Sequence, residues 1–206
     1  IIVPNQSLPP RSYWKNTVAF VPNTHLLVYA TYDCSEQTMD TQCAVDVSIV
    51  DADTGVTKKL VSSYEHEPYN FDGNFKVSLD GSMITVYSAG EIDLYNINGN
   101  VIARNILPYT PSAPDSRLIF PVISWVNNSD EIVIGIPDQK FFTNAWGDLP
   151  TYSLWKYQVK TNTLVKLIMD PMPVIFPGLS YIFKVSPDGK WILYVGEDMK
   201  QYIGNL

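Results

Sequence analysis

The segment KVSPDGKWILYV, at residues 184–195, contains a short apolar stretch, a turn, and a second stretch in which apolar and polar residues alternate. The turn residues are Pro187, Asp188 and Gly189. Proline presets φ at the first central position of a tight turn, and glycine accommodates the conformation that ends it. The segment therefore predicts a β-hairpin that joins two strands.

The same design recurs along the chain. A close copy, KVSLDGSMITVY, occupies residues 76–87, and looser copies are AFVPNTHLLVY at 19–29 and SWVNNSDEIVI at 124–134. The equivalent turn positions, Asn23, Asp80, Asn128 and Asp188, lie roughly 50 to 60 residues apart, which is typical of repeat architectures. Each of the first three copies is followed by a second pair of strand-like segments, so each repeat contains four predicted strands.

These repeats predict an all-β fold, a β-propeller of four-stranded antiparallel blades, because such sheets bury their apolar faces only by stacking on one another. We expect about three and a half blades in a single partial propeller over residues 1–206. The predicted blades span residues 13–61, 72–107, 118–169 and 181–206, and the last is incomplete. Two interpretations stay open: a fragment of a larger ring, or a small four-bladed ring whose missing outer strand is Ile1-Ile2-Val3.

The string VSPDGKWILY at residues 185–194 resembles the blade repeat of TolB-like propellers, which also occurs in the N-terminal propellers of prolyl oligopeptidase and dipeptidyl peptidase relatives. The copy around Asp80 is similar but has Leu79 in place of the proline, and the other two copies lack the glycine. The resemblance implies a fold more than a function. Blades of this kind occur in periplasmic proteins, lipoproteins and surface proteins that hold partners or gate access to an attached enzyme. The resemblance therefore implies one of these roles for this chain.

The composition is that of a folded, strand-rich chain, with 46% hydrophobic and 13% aromatic residues. The formal net charge is −7, and no cluster of Lys and Arg is present, which excludes binding of nucleic acid through its phosphates. The apolar runs are only a few residues long, whereas a membrane-spanning helix needs about 20. We therefore expect no nucleic-acid partner and no membrane span.

The two cysteines, Cys34 and Cys43, flank a polar stretch between two strand-like segments. This spacing suits a disulfide at the base of a hairpin loop, although two unpaired thiols remain the alternative. A disulfide would place the protein in an oxidising, extracytoplasmic compartment: periplasm, cell surface or secreted medium.

The connections between predicted strands differ in length. The long ones, at residues 32–44, 62–71, 108–117, 137–151 and 170–180, all belong to one face of the expected ring. Long loops on rigid scaffolds often carry function, and aromatic side chains in them are typical binding anchors. The candidate binding residues are therefore Phe141, Phe142, Trp146 and Tyr69. Residues 137–150 could instead fold back as a plug.

The sequence offers no catalytic residues, no metal site and no cofactor site, since it has no Gly-x-Ser-x-Gly elbow, phosphate-binding loop or dinucleotide fingerprint. We expect a non-catalytic interaction propeller, whose partner is another protein or peptide, or the remaining blades or domains of the same polypeptide. Two alternatives stay open. One is a propeller that gates a serine-peptidase-type hydrolase encoded outside this chain, and the other is a carbohydrate-binding propeller with a sugar stacked on Trp146.

Overall fold

A computed structural model describes most of the chain, and its residues form two compact units, Ile1–Ile106 and Leu107–Leu206. Every regular element in the described part is a β-strand. The described residues are 18–34, 42–66, 75–88, 90–109, 121–126, 130–144, 147–167, 172–173, 183–186, 188–195 and 200–206.

The first unit contains two antiparallel four-stranded sheets in which neighbours in sequence are neighbours in space. Sheet I consists of β1 (Val18–Phe20), β2 (Leu26–Cys34), β3 (Gln42–Asp51) and β4 (Thr57–His66). Sheet II consists of β5 (Phe75–Val77), β6 (Met83–Ser88), β7 (Glu91–Asn96) and β8 (Val101–Ala103).

The second unit repeats this plan. Sheet III consists of β9 (Val122–Val126), β10 (Glu131–Asn144), β11 (Gly147–Gln158) and β12 (Thr163–Lys166), and a short strand, β13 (Met172–Pro173), also pairs with β11. Sheet IV consists of β14 (Phe183–Val185), β15 (Trp191–Val195) and β16 (Gln201–Asn205). The predicted all-β class and the four-strand antiparallel design are confirmed. The assignment of residues 1–206 to a single propeller stays a prediction.

Within each unit, the two sheets share one apolar core. In the first unit, Val28 and Ile49 of sheet I belong to the same buried cluster as Ile84 and Val86 of sheet II. In the second unit, one cluster contains Val126, Val133, Tyr152 and Leu154 of sheet III together with Phe183 and Ile192 of sheet IV. Packing of sheet on sheet removes these faces from water, which neither sheet of a pair could achieve alone.

The repeated turn is fixed by local hydrogen bonds. Between β5 and β6, Ser78 Oγ donates to Asp80 Oδ1 over 2.8 Å and accepts from the Met83 amide over 3.0 Å. Between β14 and β15, Ser186 Oγ makes the same pair of bonds, to Asp188 Oδ1 over 2.6 Å and from the Trp191 amide over 3.0 Å. Because the serine and the aspartate hold the turn, a residue other than proline is accepted between them.

Three of the predicted long loops are shorter than the sequence indicated. Most of residues 137–151 belongs to β10 and β11, and residues 32–34, 42–44 and 62–66 belong to the strands of sheet I. Pro137 lies where the β10–β11 register shifts, before Phe141. Pro137 pairs with Tyr152, and pair types alternate from the hydrogen-bonded Asp130–Val159 pair, so an amide at residue 137 would face away from β11. On that side β9 pairs only as far as Gly135, so a proline at this position costs no hydrogen bond to a described strand. The loop prediction for this segment was wrong, because the segment has no strand pattern that is obvious in its sequence.

Candidate functional site

The longest hairpin of the described chain is formed by β10 and β11. Strand β9 pairs with β10 only as far as Gly135, and β12 pairs with β11 only from Trp155 onward. At about 3.3 Å per residue, residues 136–144 extend about 30 Å beyond β9. We call residues 136–144 and 147–154 the hairpin extension.

The base of the hairpin extension is anchored in the core of the second unit, and its outer part pairs with no other described strand. Tyr152 and Leu154 are buried in the core of the second unit, and β13 pairs with β11 at Thr151 and Tyr152. Farther out, β10 and β11 pair only with each other among the described strands, from Phe141 to Asn144. A two-stranded hairpin is marginally stable alone, so this part gains most from contact with another surface.

The register divides the two candidate phenylalanines between the two faces of the hairpin extension. Phe141 lies opposite Pro150, and Phe142 lies opposite Leu149. Successive residues of a strand point to opposite faces, so the two positions cannot share one flat patch. Phe141 and Phe142 are thus positions in a strand, not in the loop that the sequence indicated. Trp146 and Tyr69 lie outside the described residues.

The strands of sheet I are extended in a similar way. Strand β1 pairs with β2 only between Leu27 and Tyr29, whereas β2, β3 and β4 continue together to Cys34, Gln42 and His66. In the continuous register of β2 and β3, Cys34 lies directly opposite Cys43.

The type of this cysteine pair follows from the hydrogen-bond alternation. The Ala52 amide donates to the directly opposed His25 carbonyl over 2.8 Å, which makes that pair a hydrogen-bonded one. Pair types alternate along an antiparallel ladder, and the register has no shift between these positions. Counting residue by residue, the Cys34–Cys43 pair is non-hydrogen-bonded, the type whose Cα atoms are about 4.5 Å apart. This separation lies within the range for disulfides, about 4.4 to 6.8 Å.

The tight turns at the other end of sheet I carry an exposed ion pair. His25 Nδ1 lies 2.5 Å from Asp53 Oδ2, and both side chains are mostly in water. The hydrogen bond and the charge of Asp53 raise the pKa of His25 above its usual value. Nearby, Asp51 Oδ1 accepts the amides of Asp53 and Thr54, each over 2.9 Å, and these bonds lower the pKa of Asp51. This carboxylate therefore closes a turn. In the described residues, no group of three or more His, Cys, Asp or Glu side chains could hold a metal ion.

Sheet II contains a buried polar network that the sequence did not reveal. Asp93, 5% exposed, accepts hydrogen bonds from Arg104, from the Tyr95 hydroxyl over 3.3 Å and from the Asn105 amide over 2.9 Å. Arg104 also donates to the Tyr95 hydroxyl over 2.9 Å. Burial and the Asp93 charge raise the pKa of Tyr95. The network fastens the segment that follows β8 onto β7, which is a structural role. An aspartate inside the apolar pattern of β7 was the only available sequence signal.

Comparison with solved structures identifies the fold. The β-propeller domain of the Trilobed protease from Pyrococcus furiosus, described as having an open velcro topology, is similar with a TM-score of 0.51 and 12% identity. The match covers 92% of this chain and 54% of that one, so this chain spans about half the length of that structure.

Two further structures resemble the chain more weakly. The tricorn protease has 16% identity and a TM-score of 0.48, over 86% of this chain and 14% of that one. Dipeptidyl peptidase 4 from Porphyromonas gingivalis has 11% identity and a TM-score of 0.47, over 87% of this chain and 31% of that one. No protein-family model and no curated protein matches the sequence.

At this level of identity the comparison shows the fold alone. The predicted β-propeller fold is confirmed, and so is the resemblance, at the level of the fold, to a peptidase propeller, that of the Trilobed protease. No helix in the described residues is long and apolar enough to cross a membrane.

Proposed function

We propose that this propeller is a non-catalytic interaction domain that binds another protein or peptide through the hairpin extension. The observation that carries the proposal is the reach of β10 and β11 beyond the strands that flank them. The base of the hairpin extension is anchored in a core, and its outer part offers strand edges that no other described strand pairs with. A rigid scaffold that presents such a segment reduces the entropy cost of binding.

The placement of the two phenylalanines indicates the kind of partner. Because Phe141 and Phe142 lie on opposite faces, a flat partner surface would reach only one of them. A cleft that encloses the hairpin would reach both. An extended peptide could also add to the edge of β10 or β11 by β-augmentation, with backbone hydrogen bonds as the main contact.

The test replaces the candidate anchors and follows both binding and stability. The variant Phe141→Ala/Phe142→Ala/Trp146→Ala should lose the partners that the wild-type chain captures by chemical crosslinking in an extract of its source. A matched control, Val56→Ala/Leu79→Ala, removes two apolar side chains that are 69% and 62% exposed on tight turns of the first unit.

The control should keep both capture and the urea midpoint. Capture by the triple variant at the wild-type level would contradict the proposal. Loss of capture by the control variant as well would show that the captured proteins recognise exposed apolar residues in general.

We also propose that Cys34 and Cys43 form a disulfide and that the protein works outside the cytoplasm. The direct opposition of the two residues in a non-hydrogen-bonded pair supports the bond. In the proposed reaction, the two thiols lose their hydrogens and two electrons to a disulfide oxidant, which is reduced to two thiols. Cross-links of this kind persist in oxidising compartments, which supports a periplasmic, surface or secreted location.

A second candidate function is the gating of a hydrolase whose catalytic domain is encoded outside this chain. The observation that favours it is the likeness to the propeller domain of a protease. The complete open reading frame tests it. A serine-hydrolase motif in the same frame would support gating, and a frame that encodes propeller blades alone would contradict it.

A further inference from the structure

The turn between β7 and β8 contains Asn98 followed by Gly99, a pair in which the asparagine side chain can react with the backbone that follows it. In this reaction the backbone nitrogen of the glycine attacks the side-chain carbonyl carbon of the asparagine. A side chain on the second residue would crowd that nitrogen, and glycine has none. Asn98 is exposed to water, and it is the only asparagine of the chain that precedes a glycine.

The fold places a cation on the peptide group that reacts. Lys58 Nζ, on β4 of sheet I, donates to the Asn98 carbonyl oxygen over 2.7 Å. This carbonyl and the Gly99 nitrogen belong to one peptide group. When the nitrogen loses its hydrogen, negative charge spreads onto the carbonyl oxygen, and a donor already positioned there stabilises that charge. Lys58 therefore favours formation of the attacking nitrogen.

The turn is closed by hydrogen bonds that do not involve Lys58. The Gly99 amide donates to the Asn96 carbonyl over 2.8 Å, and the Asn100 amide donates to Asn96 Oδ1 over 2.9 Å. The Gly99 bond occupies the hydrogen that must leave, so the reaction requires a transient opening of the turn. Removal of Lys58 leaves both bonds in place, so its effect on the rate is that of the missing charge.

We propose that Asn98 is a site of spontaneous deamidation, which Lys58 promotes and directs toward isoaspartate. The Gly99 nitrogen loses its proton to the solvent and forms a bond to the side-chain carbonyl carbon of Asn98. The side-chain nitrogen of Asn98 leaves as ammonia, and a five-membered succinimide ring remains. Water then adds to one of the two ring carbonyls, and the bond from that carbon to the ring nitrogen breaks.

The position of Lys58 selects the ring carbonyl that opens. Addition of water to the former backbone carbonyl gives isoaspartate, in which the chain continues through the side-chain carbon and the backbone carboxylate is free. This carboxylate forms at the oxygen that Lys58 contacts, so it gains a charge-assisted hydrogen bond. Addition to the other carbonyl gives ordinary aspartate and leaves Lys58 against a neutral carbonyl. Lys58 therefore favours isoaspartate.

Isoaspartate adds one carbon to the backbone of a closely packed turn. A Cβ atom at Gly99 would lie 2.8 Å from Lys58 Cδ and 3.1 Å from Leu60 Cδ2, so the turn lies directly against β4. The modification also adds one negative charge to the formal net charge of −7. It should therefore loosen the contact of sheet II with sheet I and lower the urea midpoint. It does not depend on the proposed binding function.

Peptide mapping by mass spectrometry tests the site on the full chain stored at neutral pH. Isoaspartate should accumulate at Asn98 faster than at Asn23 and Asn162, which are also exposed and are each followed by threonine. Asn23 and Asn162 both lie in turns with a left-handed backbone, so they serve as internal controls. Equal accumulation at the three asparagines would overturn the proposal.

Two lysine variants test the role of Lys58. Lys58→Met should slow the conversion of Asn98 about twofold to fivefold, which is the strength of an exposed ion pair expressed as a rate. The matched control, Lys59→Met, removes the same charge from the next residue, whose ammonium bonds Asp46, and should convert at the wild-type rate.

Unfolding in urea separates the folded contact from an effect of sequence. In urea the wild-type chain and both variants should convert at one rate, because the contact between Lys58 and Asn98 is lost. A folded Lys58→Met variant that converts as fast as the wild-type chain would overturn the role of Lys58. Equal slowing by Lys59→Met would also overturn it, since net charge alone would then account for the rate.

Discussion

The close approach between the tight turns of sheets I and II can be tested with two glycines that share a left-handed backbone conformation. Only one of the two lies against the neighbouring sheet. Gly81, in the β5–β6 turn, has φ +75°, and Gly55, in the β3–β4 turn, has φ +72°. A Cβ atom at Gly81 would lie 2.8 Å from the Pro22 carbonyl oxygen and 3.0 Å from a Val21 methyl group. A Cβ atom at Gly55 would meet nothing within 4 Å.

The expected magnitudes follow from these contacts. Both alanine substitutions force a left-handed conformation on a residue with a Cβ atom, which costs about 1 to 2 kcal/mol. Gly81→Ala also presses against the backbone of the neighbouring sheet, and overpacking of this kind costs about 1 to 3 kcal/mol more. Gly81→Ala should therefore lower the free energy of unfolding by about 2 to 5 kcal/mol, and Gly55→Ala by about 1 to 2 kcal/mol.

The assay is urea unfolding followed by far-ultraviolet circular dichroism, with the midpoint and the slope m recorded for both variants. An unchanged slope means that a shift of the midpoint reports a change in stability. Equal losses of free energy, within about 0.5 kcal/mol, would refute the close approach of the two turns. They would show that only the backbone conformation matters at Gly81.

Three further predictions concern single contacts. Ser78 is 1% exposed and accepts a hydrogen bond from the Met83 amide, so Ser78→Ala should lower the free energy of unfolding in urea by about 1 to 3 kcal/mol. Ser186→Ala changes the more exposed copy of the turn and should lower it by less. A nuclear magnetic resonance titration should give His25 a pKa above its usual value, and Asp53→Asn should return that pKa toward the usual value; no change would contradict the ion pair. Since the pKa of His25 is raised in the folded state, the ion pair with Asp53 stabilises the fold fully below the usual histidine pKa. This stabilisation is lost as the pH rises through the raised pKa. Reduction of the proposed Cys34–Cys43 disulfide should add the mass of two hydrogens to the intact protein. It should also lower the free energy of unfolding by about 2 to 3 kcal/mol. An unchanged mass would contradict the bond.

Much of the fold could be predicted because its signals are local. The turns around Asp80 and Asp188 are held by side chains two to five residues away, so the motif itself contains the interactions that form the hairpin. The four-strand repeat followed from the same turns and their period.

The remainder depends on pairing between residues distant in sequence. The hairpin extension was interpreted as a loop, because the pairing of β10 with β11, with its register shift between Pro137 and Phe141, joins two segments and is not visible in either one alone. The assignment of Phe141 and Phe142 to opposite faces also requires the strand register. The network of Asp93, Tyr95 and Arg104 joins residues of β7 to the segment after β8, a pairing that no local pattern specifies.

The central claim is that the two sheets of each unit bury each other's apolar faces, and a double-mutant cycle across sheets III and IV tests it most directly. A Cβ atom at Gly135 of β10 would lie 3.0 Å from the ring edge of Phe183 in β14. Gly135→Ala should destabilise the wild-type protein, and this loss should largely disappear in a Phe183→Leu background, with a coupling energy of about 1 to 2 kcal/mol. If the two substitutions are instead additive within about 0.3 to 0.5 kcal/mol, the two sheets do not pack against each other as described.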